Sequence, residues 1–312
     1  MTRYIYGIDI GGTTVKMGLF DEKGDMLEKW EIVTRKENNG ENILPDIVKS
    51  IKEKNTEKSI ETDDILGIGM GVPGPITEDG RVLKCANLGW GIFSVADEMS
   101  KLTGVEKVKV GNDANVAALG EALAGCAKGA QSTVVVTLGT GVGAGVVLDG
   151  KLLTGYTGAA SEAGHMVILD TADAPRCTCG RHGCLEALAS ATALIRMTKE
   201  ARLAHPESAL NVLAAKPEDV NGRTAFDAAA QGDAAAQQVV DTYIHYLAVG
   251  IANLINIFFP EVIALSGGVA NQGDALLVPL RERVRALSYG SRYAVRHTRI
   301  ELCTLGYRAG VI

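Results

Sequence analysis

Apolar and polar positions divide the chain into short strands near its start and middle and longer helices later on. Residues 4–10 (YIYGIDI) form an apolar run with β-branched side chains, followed by GGTT, VKMGLFD, the turn signal DEKGD and the alternating stretch MLEKWEIVT at 26–34. This order predicts an antiparallel meander of three strands. It recurs as TVVVTL at 133–138, then GTGVGAG, VVL at 146–148, the hairpin dipeptide Asp149-Gly150, and KLLTG. Two copies of one pattern imply two related α/β domains facing each other, with both Gly/Thr turns pointing toward one cleft.

The intervening segments fill in this outline. Residues 41–56 read as a helix, 65–74 (ILGIGMGVPG) as a strand entering a tight turn, 107–113 as a strand ending in polar residues, and 114–125 as a helix starting near Asp113. Helical apolar spacing recurs at 186–199, 223–229, 232–258 and 277–289, and residues 261–270 form a strand entering a glycine turn. The final LGYRAGVI, 305–312, is expected to be a helix returning to the first domain. The expected division is a small N-terminal domain over 1–112, joined by the segment 300–312, and a larger domain over 113–299.

Composition adds limits. Hydrophobic residues make up 46% and charged residues 22%, ordinary for a globular protein. Glycine (37 residues) far outnumbers proline (8), which favours tight turns and close backbone approaches over a flexible linker. A formal net charge of -6 argues against a nucleic-acid partner but leaves room for an anionic ligand held by backbone amides or Mg²⁺. The most apolar run, Tyr246 to Phe259, contains Asn253 and Asn256 and falls short of the roughly 20 residues a membrane span needs. No secretory leader is evident in MTRYIYGIDIGG, so the expected location is the cytoplasm.

Five stretches carry candidate chemistry. Asp9-Ile10-Gly11-Gly12-Thr13-Thr14, with Lys16 beyond, offers exposed amides, hydroxyls and a carboxylate suited to phosphate and Mg²⁺, or it is simply a glycine-rich turn. The second Gly/Thr turn, Gly139-Thr140-Gly141 and onward, superficially resembles a dinucleotide-binding loop. A strand and hairpin follow it, however, where that fingerprint needs a helix. Gly267-Gly268 after Ser266 would let a nucleotide approach the backbone, or would merely turn a strand into a helix. Gly111-Asn112-Asp113 places a carboxylate where it could act as general base toward a hydroxyl; the alternative is a helix cap.

The fifth stretch is the most specific. Six cysteines occur, at 85, 126, 177, 179, 184 and 303, and three of them fall within eight residues. His165 with Cys177, Cys179 and Cys184 gives H-x11-C-x-C-x4-C, one imidazole and three thiols, a closed tetrahedral zinc set of the structural kind. His182 is a spare candidate inside the loop. Glu162 and Glu186 lie close in sequence to these ligands and could bind vicinal sugar hydroxyls, or they are surface residues or caps. His165 could also reach substrate through its other ring nitrogen.

Together the stretches GIDIGGTTVKMGLFD, GIGMGVPGP, NLGW, VGNDANVAALGE, VVVTLGTGVGAGVVLDG, GAASEAGH, CTCGRHGCLE and LSGGVA resemble the repressor, open-reading-frame and kinase (ROK) family, in its order and through most of the chain. The resemblance implies an α/β, two-domain actin-like ATPase or ribonuclease-H-like fold with a cleft between domains. It implies Asp113 as catalytic base, and sugar contacts from Asn87, Asn112, Glu162, His165 and Glu186. The nucleotide cleft would include Gly11, Gly12, Thr13, Thr14, Gly139, Thr140, Gly267 and Gly268, with Asp9, Lys16 and Gly141 beside them. Zinc would be held by Cys177, Cys179, Cys184 and His165. One departure is Ser161, where the family's glucokinases commonly carry glycine before the glutamate. The family's repressors carry a helix-turn-helix ahead of the core. Here the first strand starts at about residue 4, which argues against DNA binding.

The resulting expectation is transfer of phosphate from Mg-ATP to the 6-hydroxyl of glucose by a homodimer or a dimer of dimers. The alternatives are another hexose substrate (N-acetylmannosamine, fructose, allose or N-acetylglucosamine), a non-catalytic sugar sensor, or a zinc-stabilised structural protein.

Overall fold

The computed structural model describes residues 3–85, 87–290, 293–306 and 309–312. The chain begins with the expected meander, β1 (Tyr4–Ile10), β2 (Thr14–Asp21) and β3 (Met26–Val33), paired antiparallel. A short turn α1 (Glu37–Gly40) leads to α2 (Ile43–Lys58), then β4 (Ile65–Val72), a small hairpin β5 (Arg81–Val82) and β6 (Phe93–Ser94), α3 (Val95–Thr103) and β7 (Val108–Asn112). Strands β4 and β7 add in parallel beside β1, giving a five-stranded sheet in the order β3-β2-β1-β4-β7. Period-two burial sends Tyr6, Ile8 and Ile10 into a core shared with Ile43, Ile47 and Ile51 of α2. Each such side chain removed from water is worth roughly 1.5–3 kcal/mol.

The chain then enters α4 (Asp113–Ala124) and repeats the plan with β8 (Ser132–Leu138), β9 (Val142–Leu148) and β10 (Lys151–Leu152). Helices α5 (Leu185–Ala189), α6 (Ala191–Ala204), α7 (Leu210–Leu213), α8 (Thr224–Ala230) and α9 (Ala234–Phe258) follow, then β11 (Val262–Ser266), α10 (Asp274–Leu287) and β12 (Arg299–Leu302). The second sheet runs β10-β9-β8-β11-β12, the same topology as the first. Its core is organised by α9, whose Tyr243, Ile244, Leu247, Ile251 and Ile255 share the cluster with Val134, Val136, Ile263 and Leu265 of the sheet.

Three sequence expectations change. The helix expected over 186–199 is two helices: Ser190 adopts extended backbone and its hydroxyl accepts from Ala193 N at 3.1 Å, capping α6. The glycine run after Leu138 is a turn only through Gly141, and Val142–Gly145 already belong to β9. The segment 300–312 does not rejoin the first unit as a whole. Arg299–Leu302 pairs in parallel with β11 in the second sheet, and the return comes afterwards, with Val311 buried against Gly7 of β1. The return is irregular at 303–305 and turn at 309–311, Gly306 has 3₁₀ conformation, and residues 307–308 of the expected helix lie outside the described residues.

Helix α4 lies between the sheets and touches β4 and β7 of one and β8 and β9 of the other. Gly145 of β9 permits this, since a Cβ there would come within 2.5 Å of Ala118 Cβ and 2.7 Å of Ala114 O. At the far end of α4 the fully buried Glu121 accepts backbone N–H groups from Cys126 (3.0 Å), Thr304 (3.2 Å) and Leu305 (2.9 Å). One carboxylate thus ties the helix end to the chain leaving β12. Glu121→Ala should strand three amide donors, each costing about 1–3 kcal/mol when left unpaired. Denaturant unfolding is expected to show a loss of about 3 kcal/mol or more. A loss under about 1 kcal/mol would show that the clamp is not structural.

Candidate active site

The carboxyl ends of β1, β7, β8 and β11 all open into one cleft of about 920 Å³. This is where open α/β sheets ordinarily hold ligands. Of the residues singled out from sequence, Asp9, Lys16, Asn87, Asn112, Asp113, Gly139, Thr140, Gly141, Glu162, His165, Glu186 and Gly267 line it. Gly11, Gly12, Thr13, Thr14 and Gly268 are not among its lining residues. The β1–β2 turn is closed on itself: Gly11 N donates to Thr14 O at 3.0 Å, and Thr34 donates from its amide to Thr13 O and from its hydroxyl to Gly11 O. The turn therefore presents its flanking Asp9 and Lys16 to the cleft.

Asp113 is the first residue of α4. Asn112 before it is the N-cap, its Oδ1 accepting from Ala114 N at 3.0 Å and Asn115 N at 3.2 Å while its Nδ2 donates to Gly74 O at 3.0 Å. The helix-cap reading is thus correct for Asn112, which keeps one N–H free for a ligand. Asp113 Oδ1 accepts from Ala114 N at 2.9 Å. Asp9 and Asp113 flank Gly71 of β4, whose Cβ direction ends 3.6 Å from Asp113 Cα and 3.7 Å from Asp9 Oδ1. Burial pushes the Asp113 carboxyl above the usual range, and the charges of Asp9 and Glu162 add to this against the lowering hydrogen bond from Ala114. Burial also raises Asp9, against the opposing pull of Lys16, whose Nζ stands 3.6 Å from Asp9 Oδ2.

The opposite wall carries the Gly139–Gly141 turn. Its carbonyls are anchored away from the cleft, Gly139 O by Ala191 N at 2.9 Å and Thr140 O by the Thr192 hydroxyl at 2.7 Å, both at the start of α6. Residues not anticipated from sequence join this wall. Thr137 and Ser266 line the cleft and share a 3.1 Å hydrogen bond, and Asn271 lines it too, whereas Gly310 enters from the other side, where a Cβ on it would come within 2.7 Å of Asp9 Cγ. Only the end of each strand, as a position, could have signalled Thr137 and Ser266. Nothing local marks Asn271 or Gly310.

Glu162 caps a single 3₁₀ turn, Ala163–His165, with Ser161 before it held at φ +69° and its hydroxyl donating to Leu153 O at 3.2 Å. Glycine adopts this left-handed backbone without the strain a side chain brings. His165, Cys177, Cys179 and Cys184 bring their ligand atoms within 4.8 Å of one another. His165 Nδ1 lies 3.6 Å from Cys177 Sγ, and Cys179 Sγ lies 3.7 Å from Cys184 Sγ. A tetrahedral zinc site has edges of about 3.8 Å between sulfurs and about 3.5 Å between sulfur and imidazole nitrogen, so these two separations match such a site. His182 is outside this set, its Nδ1 being 2.9 Å from Ala174 O.

The sequence model of the ROK family matches residues 5–312. The chain belongs to the ROK family. It is 39% identical to a glucokinase of Halalkalibacterium halodurans over 99% of this chain and 93% of that protein. The crystal structure of a ROK family glucokinase from Streptomyces griseus in complex with glucose and AMPPNP superposes with a TM-score of 0.78 at 31% identity, covering 99% of this chain and 96% of that one. A ROK family transcriptional regulator, a homologue of the E. coli MLC protein, gives a TM-score of 0.85 at 28% identity, with 99% of this chain covering 76% of the regulator. The two-domain α/β fold of this ROK protein is therefore that of the actin, hexokinase and ribonuclease-H-like ATPase superfamily.

The raised pKa of Asp113 has a stability consequence. A neutral Asp113 contributes stability that is fully present below the unfolded pKa of about 3.9 and is lost as pH rises through the higher folded value. Above that window the buried anion costs stability. Asp113→Asn should therefore melt at a higher temperature than the parent at pH 7, with the gap closing toward pH 3.5. A variant that is less stable at pH 7 would show that burial does not dominate this carboxyl.

Proposed function

We propose that the chain transfers the γ-phosphoryl group of Mg-ATP to the 6-hydroxyl of glucose, giving glucose 6-phosphate and ADP. One observation carries the reading: a carboxylate of raised pKa lines one cleft together with the Gly139–Gly141 turn and with Glu162, His165 and Glu186. The full-length likeness to glucokinases supports the same substrate.

In this reading Asp113 accepts the proton of the attacking hydroxyl as the bond to phosphorus forms. The free Asn112 N–H, Asn87, Glu162, Glu186 and the outward ring nitrogen of His165 orient the sugar. Lys16, Gly139, Thr140, Gly141 and Gly267 face the nucleotide phosphates, Gly268 supports the turn, and Asp9 holds Mg²⁺. The Gly11, Gly12, Thr13 and Thr14 turn fixes where Asp9 and Lys16 point. Bound Mg²⁺ would neutralise charge on the transferred phosphate. Zinc on Cys177, Cys179, Cys184 and His165 would be structural, with all four positions filled by protein.

The same reading includes a division near residue 112, with 303–312 returning to the first unit, and domain closure that excludes water. It also includes a homodimeric, cytoplasmic protein that binds no nucleic acid. Among the described residues no helix is long and apolar enough to cross a membrane.

The test is ADP release with Mg-ATP across glucose, N-acetylmannosamine, fructose, allose and N-acetylglucosamine. Glucose should give the highest kcat/KM. A higher value for another sugar replaces the substrate, and silence across the panel from folded protein favours a sugar sensor. Asp113→Asn should lower kcat by about 10²-fold or more, and an unchanged kcat would remove Asp113 from the base role. Cys179→Ser should lose the zinc that metal analysis finds in the parent. Stoichiometric zinc in that variant would break the proposed ligand set.

A further inference from the structure

Glu186 is held from two sides. Its Oε1 accepts the Thr178 hydroxyl at 2.6 Å, and its Oε2 accepts Val142 N at 3.2 Å. The carboxylate thus bridges the cysteine loop to the first residue of β9, directly after the Gly139–Gly141 turn. The fit is tight, since a Cβ on Gly141 would come within 2.3 Å of Glu186 Oε2. Glu186 is the first-turn acid of the short helix α5, which begins just after Cys184, so the backbone alone leaves its side chain several rotamers.

Thr178 sits between two of the metal-ligand candidates, Cys177 and Cys179. Cys177 Sγ lies 3.6 Å from the same Oε1 of Glu186. A zinc-bound cysteine is a thiolate with no proton to donate. With zinc bound, the Thr178 hydroxyl is the donor that keeps Oε1 beside a negative sulfur.

We propose that Thr178 is a positioning residue for the sugar. Its hydroxyl fixes the rotamer of Glu186, so that the carboxylate reaches the sugar hydroxyls while still tied to the start of β9. The proposal rests on the reading above that Glu186 contacts the sugar. It assigns Thr178 to sugar affinity, not to zinc retention or phosphoryl transfer.

The test compares the zinc-loaded parent with Thr178→Val and Thr178→Ser. Glucose Kd is read by calorimetry, which needs no turnover, alongside kcat, both KM values and zinc content. Thr178→Val should weaken glucose binding about ten-fold, the size of one hydrogen bond to a charged group. Its ATP KM and kcat should stay within about two-fold of the parent, with zinc at one equivalent. Thr178→Ser, which keeps the hydroxyl, should restore glucose binding. An unchanged glucose Kd in Thr178→Val overturns the proposal, as does zinc loss or a weakening that Thr178→Ser fails to rescue. A parent that binds glucose but turns over no sugar sinks the kinase reading while leaving Thr178 decided by the Kd values. A parent that binds no glucose sinks both.

Discussion

The cleft depends on how closely α4 lies between the two sheets. Its first turn must reach the carboxyl ends of β4 and β7 while its body rests on β8 and β9. That contact leaves no space for a side chain at Gly145. The close approach places Asp113 at the junction of the two units, where it loses water and comes under the influence of Asp9 and Glu162. Asn112 fixes the helix start by satisfying two of its free amides, and Glu121 fixes the other end against the returning chain. The Asp113 carboxylate is thus positioned by a helix that is held at both ends.

The other cleft residues are held in two ways. The Gly139–Gly141 turn has its carbonyls tied to the start of α6. Glu162, His165 and Glu186 sit on short elements with little rigidity of their own, a single 3₁₀ turn and a five-residue helix. The cysteine loop compensates for this. Arg181 donates to His165 O at 2.7 Å, and Cys177 N to Arg181 O at 2.7 Å, so the loop is braced against the turn that carries Glu162. A metal fitted among His165 and the three cysteines would lock both short elements together.

Much of this was legible in the sequence because it is local. The doubled strand-turn-strand pattern marked the two sheets, the Asn-Asp pair marked the start of α4, and the Cys/His spacing marked one cluster. Features that join distant segments were not legible. Glu121 meets Leu305 across 184 positions, and nothing in LGEAL distinguishes it from a surface glutamate. Strand β12 is four residues long, with a burial pattern too brief to show alternation. The Gly11–Thr14 turn reads from sequence as a phosphate contact because its amides and hydroxyls suit that chemistry. Thr34, just after β3, holds the shape of the turn through two of its carbonyls, and only the folded chain shows this.

The most direct test of the central claim, that this cleft aligns the glucose 6-hydroxyl with Asp113 and an incoming phosphate, is the regiochemistry of the product. Phosphorus NMR of the zinc-loaded protein with Mg-ATP and glucose should show a single phosphate ester coupled to the C6 methylene protons. An ester at the anomeric or any ring carbon, or ATP hydrolysis without ester formation, would contradict it.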